Sequence, residues 1–452
     1  MSISSIRRPV FSVASRFVAH LYIPLYRNGY ALILSSALTS LLGVVYWILA
    51  AHRYPPEEVG LNSVAISAMM FLAGVAELNL MSALIRFIPN AGQTTRRLVG
   101  LAYLTSVLVA LLVTAIFVIW LKLETSPLTS LNSIPYFTPW FIAATMAWCI
   151  FVLQDSVLTG LRQAVWVPLE NGFFAVTKIV LLVILATVMS HAGVFASWTL
   201  ALVITLLPTN LLIFRRLIPH HLRIGVSQAK PVVPRQLVKF VAADYIGSLF
   251  WLLSTTFLPV IVTQQVGATA NAYFYLAWTI AYSLYLISPN MGSSLTVEAA
   301  RDETKLGVYS FRVFRHTAQL VVPAVVVVLL GAPYLLWLFG VSYAAAGTTL
   351  LRLLALSAIP NIINALYISI ARVQRHLTAM VGVLAGLCLL VLGLSYLLLP
   401  LYGITGVGLA WLVSQTIVAV ILLLTRLPHI WLIRQEEKEE TTPTVDKMLL
   451  AD

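Results

Sequence analysis

Five ionisable residues stand inside long apolar runs, and they are where this sequence could do chemistry: Glu77, Asp155, Lys178, Asp244 and Arg352. A charge at membrane depth costs several kcal/mol, so such residues face a cavity, a partner or a water path. Carboxylates there could take up and release a proton or a cation, which makes Glu77, Asp155 and Asp244 candidates for ion or proton coupling. The cations Lys178 and Arg352 could hold a phosphate through charge-assisted hydrogen bonds, as could Arg86 in Ala83-Leu84-Ile85-Arg86-Phe87. For Arg86 and Arg352, snorkelling to the interface is the competing role. At 1.5 Å of rise per residue, Glu77 and Lys178 lie roughly 14 and 18 Å above the cytoplasmic ends of their helices and could pair. Asp155 and Asp244 lie roughly 9 Å in, one in each half of the chain. Tyr275, Trp278, Tyr282 and Tyr285 form a stripe on one helical face. Such a stripe could stack on sugar rings, making Tyr275, Trp278 and Tyr282 candidate substrate contacts, although core packing is its commoner use.

Covalent and metal chemistry are not indicated. There is no G-x-x-x-x-G-K-[ST] loop for ATP. No His or Cys spacing suits a metal, and no cofactor is implied. Cys149 and Cys388 both sit in apolar runs and read as buried free thiols. The longest external connection is about residues 122–137, too short for a catalytic domain. Transport is favoured over catalysis, and the chain is expected not to be an enzyme.

The elements that position these residues follow from composition. Of 452 residues, 60% are hydrophobic and 10% charged, against about 25% charged in a soluble domain. That excludes a soluble enzyme or nucleic-acid-binding domain and leaves a chain solvated by lipid. Spanning segments of about 20 apolar residues can be placed at about 29–51, 60–86, 98–121, 138–160, 166–189, 193–213, 238–263, 269–297, 313–339, 345–371, 377–399 and 404–433. The expected fold is an all-α polytopic membrane protein of about twelve helices. The stretch before them, with Phe11, Phe17, Val18, Leu21 and Ile23 beside Arg16 and Arg27, reads as an amphipathic interfacial helix. The N-terminus does not read as a cleavable signal.

The 28 Lys and Arg residues fix the orientation. Only Arg53 and Lys122 fall on one side, Lys178 and Arg352 lie within helices, and all the others fall on the opposite side. By the positive-inside rule both termini are cytoplasmic, and an odd number of helices would destroy the pattern. The formal charge of +12 therefore reports topology, and no nucleic-acid partner is expected.

The two halves look alike. Glu57-Glu58-Val59-Gly60 matches Gln264-Gln265-Val266-Gly267, and the turn at Arg162 matches that at Arg372. The expected organisation is an interfacial segment (1–27), a first lobe of six helices (28–213), a basic cytoplasmic linker (214–237), a second lobe (238–433) and a charged tail (434–452). Parallel repeats of this kind enclose substrate and rock about it. Pro208, Pro259, Pro289, Pro323 and Pro360 fall inside predicted helices and allow kinks.

Several short motifs in order resemble a known family. They are Tyr54-Pro55-Pro56-Glu57-Glu58-Val59-Gly60, the run Ala83 to Pro89, Thr159-Gly160-Leu161-Arg162-Gln163, and Pro400 to Gly408 with its three glycines. Over about residues 28–430 the chain resembles the Wzx-type polysaccharide and O-antigen flippases of the MOP superfamily, which also contains the MATE transporters. The resemblance implies two six-helix lobes around a cavity lined by the first, second, seventh and eighth helices. It implies a cell-membrane protein that flips a polyprenyl-pyrophosphate-linked oligosaccharide from the inner to the outer leaflet. Its partners would be that glycan lipid, membrane lipid, and the polymerase or glycosyltransferases of the same pathway. The family often places cations in its cavity for the pyrophosphate. Here the first, seventh and eighth helices carry no central Lys or Arg, so that duty would fall to Arg86, Lys178 or Arg352. Two other readings stand beside it: a MATE-like antiporter of small molecules, and a membrane scaffold of a glycan assembly complex that transports nothing.

Overall fold

The structure is a computed structural model, and it describes residues 24–123, 136–224, 234–299, 306–374 and 376–428. The interfacial segment up to residue 23, most of the 122–137 connection, the middle of the basic linker and the 434–452 tail lie outside the described residues. Every regular element among the described residues is helical. With broken helices counted once, they form twelve: α1 (Pro24–Arg53), α2a (Pro56–Ala76) with α2b (Leu80–Phe87), α3 (Thr95–Leu123), α4 (Phe137–Gly160), α5 (Trp166–Leu185), α6a (Gly193–Leu212) with α6b (Ile218–Ile224), α7a (Pro234–Thr256) with α7b (Leu258–Val266), α8 (Ala268–Ala299), α9 (Leu306–Trp337), α10 (Val341–Val373), α11 (Leu377–Tyr402) and α12 (Ile404–Thr425). Ten helices among the described residues are long and apolar enough to cross a membrane. The outward faces of α3, α9 and α11 expose Leu104, Leu108, Leu330 and Leu389, as lipid solvation allows.

The chain divides into two compact units, one of Met1–Pro55 with Ala65–Tyr245, the other of Pro56–Val64 with Ile246–Asp452. In the first, α1 packs on α5, α5 on α6a, α3 on α4, and α4 on α2b. In the second, α10 is the central helix, packed against α8, α9 and α12. Its core joins Trp278, Tyr285 and Trp411, with Trp278 and Trp411 edge to face at 4.6 Å. Two buried amides cross-link α10 to α12: Asn364 Nδ2 donates to Gln415 Oε1 at 2.6 Å and to the Gln415 carbonyl at 3.0 Å.

The second predicted helix is broken in its middle. Leu78 (φ 53°) and Asn79 (φ 56°) are both left-handed, a conformation that costs a bulky residue about 1–3 kcal/mol. Two side-chain hydrogen bonds brace the break. Tyr245 donates its hydroxyl to the Val75 carbonyl at 2.5 Å, and Ser82 donates to Asn79 Oδ1 at 3.0 Å. Pro259 stands in the first turn of α7b, past a break at Phe257, and is not a helix-interior kink.

The Glu-Glu-Val-Gly and Gln-Gln-Val-Gly runs are not equivalent positions. The first opens α2a, whereas the second closes α7b, with Gly267 at φ 100° beyond it. The glycines of the Pro400–Gly408 run serve a tight turn and close packing. Gly403 (φ 55°) links α11 to α12. A Cβ on Gly408 would stand 3.0 Å from that of Leu353 on α10.

Candidate functional site

Two helices of the first unit carry matching stripes. On α4, Trp148, Phe151, Val152 and Asp155 stand at i, i+3, i+4 and i+7, and on α5 Asn171, Phe174, Ala175 and Lys178 do the same. That spacing brings each set onto one face. The two faces line a cavity of about 440 Å³, which Val167, Thr39 of α1 and Trp198 of α6a complete.

Lys178 is 6% exposed, and its ammonium is surrounded by rings. Nζ lies 3.8 Å from the ring centroid of Trp198, 4.9 Å from Tyr46 and 5.0 Å from Phe174. The cage is itself braced. Tyr46 gives its hydroxyl hydrogen to the Val194 carbonyl at 2.9 Å, and Trp198 packs edge-on against both Tyr46 and Phe174. Among the described residues no carboxylate pairs with Lys178. A desolvated cation–π contact contributes about 2 kcal/mol, whereas burying an ammonium costs several.

Asp155 faces the same cavity and is held by Asn171, whose Nδ2 donates to Oδ1 at 3.2 Å and Oδ2 at 3.1 Å. Beside this pair stands Glu170, 5% exposed, with no hydrogen-bond partner for either carboxyl oxygen. Asn171, Glu170 and Trp198 were not singled out in the sequence as site residues. The Asn171–Lys178 stripe was the available signal.

No family model and no curated protein matches this sequence. Solved structures do match it. One is a multidrug resistance MATE family transporter of the MOP superfamily in its inward-facing conformation, with a TM-score of 0.65 and 16% identity over 89% of this chain and 99% of that one. A MATE transporter in the outward-facing conformation also gives 0.65, at 16% identity over 90% and 96%. The chain has the MATE transporter fold. A third similar structure is a MOP superfamily transporter from Pyrococcus furiosus, described as having a binding pocket of reverse polarity that suggests a different function. It gives a TM-score of 0.56 at 14% identity over 91% and 96%.

Within this MATE fold the other candidate residues disperse. Glu77 does not meet Lys178. Its Oε1 accepts the Met81 amide at 3.2 Å and so caps α2b where the chain re-enters helix. Glu77→Ala is therefore expected to lower the melting temperature of the purified protein, at about 1 kcal/mol for a lost cap. Glu77→Gln keeps an acceptor oxygen and is expected to melt close to wild type. Equal melting of the two variants would remove the capping role.

Arg86 is exposed, with its guanidinium carbon 5.9 Å from the Phe87 ring centroid. Arg352 is also exposed and gives its Nε hydrogen to the Leu329 carbonyl at 3.1 Å. Neither lines the Lys178 cavity. Each side chain is long enough to follow the helix surface outward, which is the snorkelling alternative. Trp278 is packed in the second unit's core, so its face is not presented to a ligand. Tyr275 and Tyr282 are half-buried. Asp244 falls on α7a where side chains lie outside the described residues. Cys149 and Cys388 are free and buried.

Proposed function

We propose that this chain is an alternating-access transporter that flips a polyprenyl-pyrophosphate-linked oligosaccharide from the inner to the outer leaflet of the cell membrane. The observation that carries the reading is Lys178, an ammonium enclosed by three rings in a cavity, with no carboxylate paired to it among the described residues. Three rings offset only part of the cost of burying that charge, and an anionic ligand group would supply the rest. A pyrophosphate is such a group. The motif resemblance to Wzx-type flippases points the same way. So does the similarity in fold to a Pyrococcus furiosus transporter whose pocket polarity is described as reversed. Asp155 and Glu170, on neighbouring helices, are where a coupling proton or cation would be held. Glu77 and Asp244 are the further coupling candidates. The flipped glycan would pass to the polymerase or glycosyltransferases of its pathway.

A second reading, efflux of cationic drugs, is favoured by Asp155 in an aromatic-walled cavity and by the multidrug transporters among similar folds. Reconstitution separates the two. Purified protein in liposomes is expected to move a fluorescent polyprenyl-pyrophosphate oligosaccharide between leaflets, scored by quenching from outside, and to leave ethidium efflux at background. Ethidium transport without lipid flipping would establish the second reading, and neither activity would leave a scaffold.

A further inference from the structure

The second unit holds a cavity of its own, of about 450 Å³, between α7a, α8, α10 and α11. Its wall is chemically unlike that of the Lys178 cavity. Trp251 presents an aromatic surface, and Ile368, Leu384 and Leu387 add aliphatic ones. The polar groups are neutral: Ser248, Asn361 and Ser369. Among the described residues no carboxylate lines it, and the one charge there is Arg372, an exposed residue in the last turn of α10.

Asn361 is the decisive residue. It is 4% exposed and lines the cavity, and its amide makes no hydrogen bond to the protein among the described residues. Its near neighbour Asn364, on the same helix, has its Nδ2 bonded to Gln415. An unbonded amide opening onto a cavity is free to hydrogen-bond a ligand there. An amide offers donors and an acceptor together, which matches adjacent hydroxyls. Trp251 packs against the core of the second unit and also lines the cavity, where its ring can meet a ligand.

We propose that this cavity is a binding site for a neutral glycosyl group, with Asn361 and the two serines taking its hydroxyls and Trp251 covering its apolar face. The assignment rests on the reading of the substrate as a glycan, but its test does not depend on transport. Purified full-length protein in nanodiscs is titrated by calorimetry with a panel of uncharged hexose and N-acetylhexosamine oligosaccharides, with ethidium, and with inorganic pyrophosphate. At least one neutral sugar is expected to bind. Asn361→Leu, of similar volume, and Ser369→Ala are each expected to weaken it by about tenfold or more, the scale of lost buried hydrogen bonds. Melting temperatures identify any variant that has merely unfolded, and Trp251→Phe, which keeps a ring, is expected to retain most of the binding. Lys178→Met is expected to leave sugar binding unchanged. No sugar binding across the panel, ethidium binding in its place, or equal sugar binding by Asn361→Leu would each overturn the assignment. Sugar binding by a protein that fails to flip lipid-linked glycan would sink the transport reading and keep this site.

Discussion

Gly60→Ala is expected to leave almost no folded protein. Gly60 is buried in the first turns of α2a. A Cβ there would collide with the carbonyl oxygen of Ala268 and stand 2.6 Å from its carbon and 3.2 Å from the Ala272 nitrogen. These are backbone atoms of the start of α8, so no rotamer change relieves the clash. The same place carries a polar knot. Asn271, fully buried, donates from Nδ2 to the Gly60 carbonyl at 2.9 Å and to Ser63 Oγ at 3.1 Å, and Ser63 returns its hydrogen to the Gly60 carbonyl. Moving the backbones apart breaks both amide bonds. Overpacking costs about 1–3 kcal/mol, and stranding a buried amide about 1–3 more. The sum approaches the net stability of a typical protein. Size-exclusion profiles and melting curves should show loss of the monodisperse species. Gly43→Ala and Gly382→Ala supply the contrast, because a Cβ at either meets nothing within 4 Å. In a helix interior each is expected to be neutral or to stabilise by up to about 1 kcal/mol. If Gly60→Ala melts with the wild type, residues 56–64 do not pack on α8 as described.

The helices were legible because lipid demands long apolar runs, and twelve runs became twelve helices. The break at Leu78 and Asn79 was not, since neither glycine nor proline marks it. It is held by Tyr245, distant in sequence, and by the Glu77 carboxylate that reads in the chain as a candidate ion site. Rise per residue placed Glu77 and Lys178 at similar depths, but depth says nothing of azimuth. Lys178 turns to Trp198 and Tyr46, whereas Glu77 turns along its own helix. The stripes on α4 and α5 were readable from spacing alone. That these two faces share one cavity was not, because spacing within a helix does not say which helices adjoin. The matched Glu-Glu-Val-Gly and Gln-Gln-Val-Gly runs show the opposite failure, similar letters at a helix start and a helix end. The open amide of Asn361 carries no sequence signal, since Asn364 on the same helix is the same residue with its Nδ2 bonded to Gln415.

Lys178→Met is expected to remove transport while leaving the fold as stable as before or more so. The two halves of that expectation have separate causes. Methionine keeps much of the lysine's length against Phe174 and Trp198 and deletes only the charge. Desolvating an ammonium costs several kcal/mol, and the cation–π contacts return about 2, so the folded protein loses nothing by the exchange. An anionic substrate loses a great deal. Truncating one partner of a buried charge pair costs about 2–5 kcal/mol, which is about 30-fold to several-thousand-fold in affinity. Lys178→Arg keeps the charge but replaces a compact ammonium, 3.8 Å from the Trp198 centroid, with a broad planar fork. The fork cannot present its charge from the same point as the ammonium, so an intermediate rate is expected. Trp198→Leu opens the cage, frees the ammonium to wander, and should also fall between. The measurements are flipping of the lipid-linked glycan in liposomes and melting temperature, made on the same preparations. A large loss of flipping with an unchanged or raised melting temperature is the signature of a charge kept for its ligand. The reverse pattern, wild-type flipping with a lowered melting temperature, would make Lys178 a packing residue and withdraw the anionic group from this cavity.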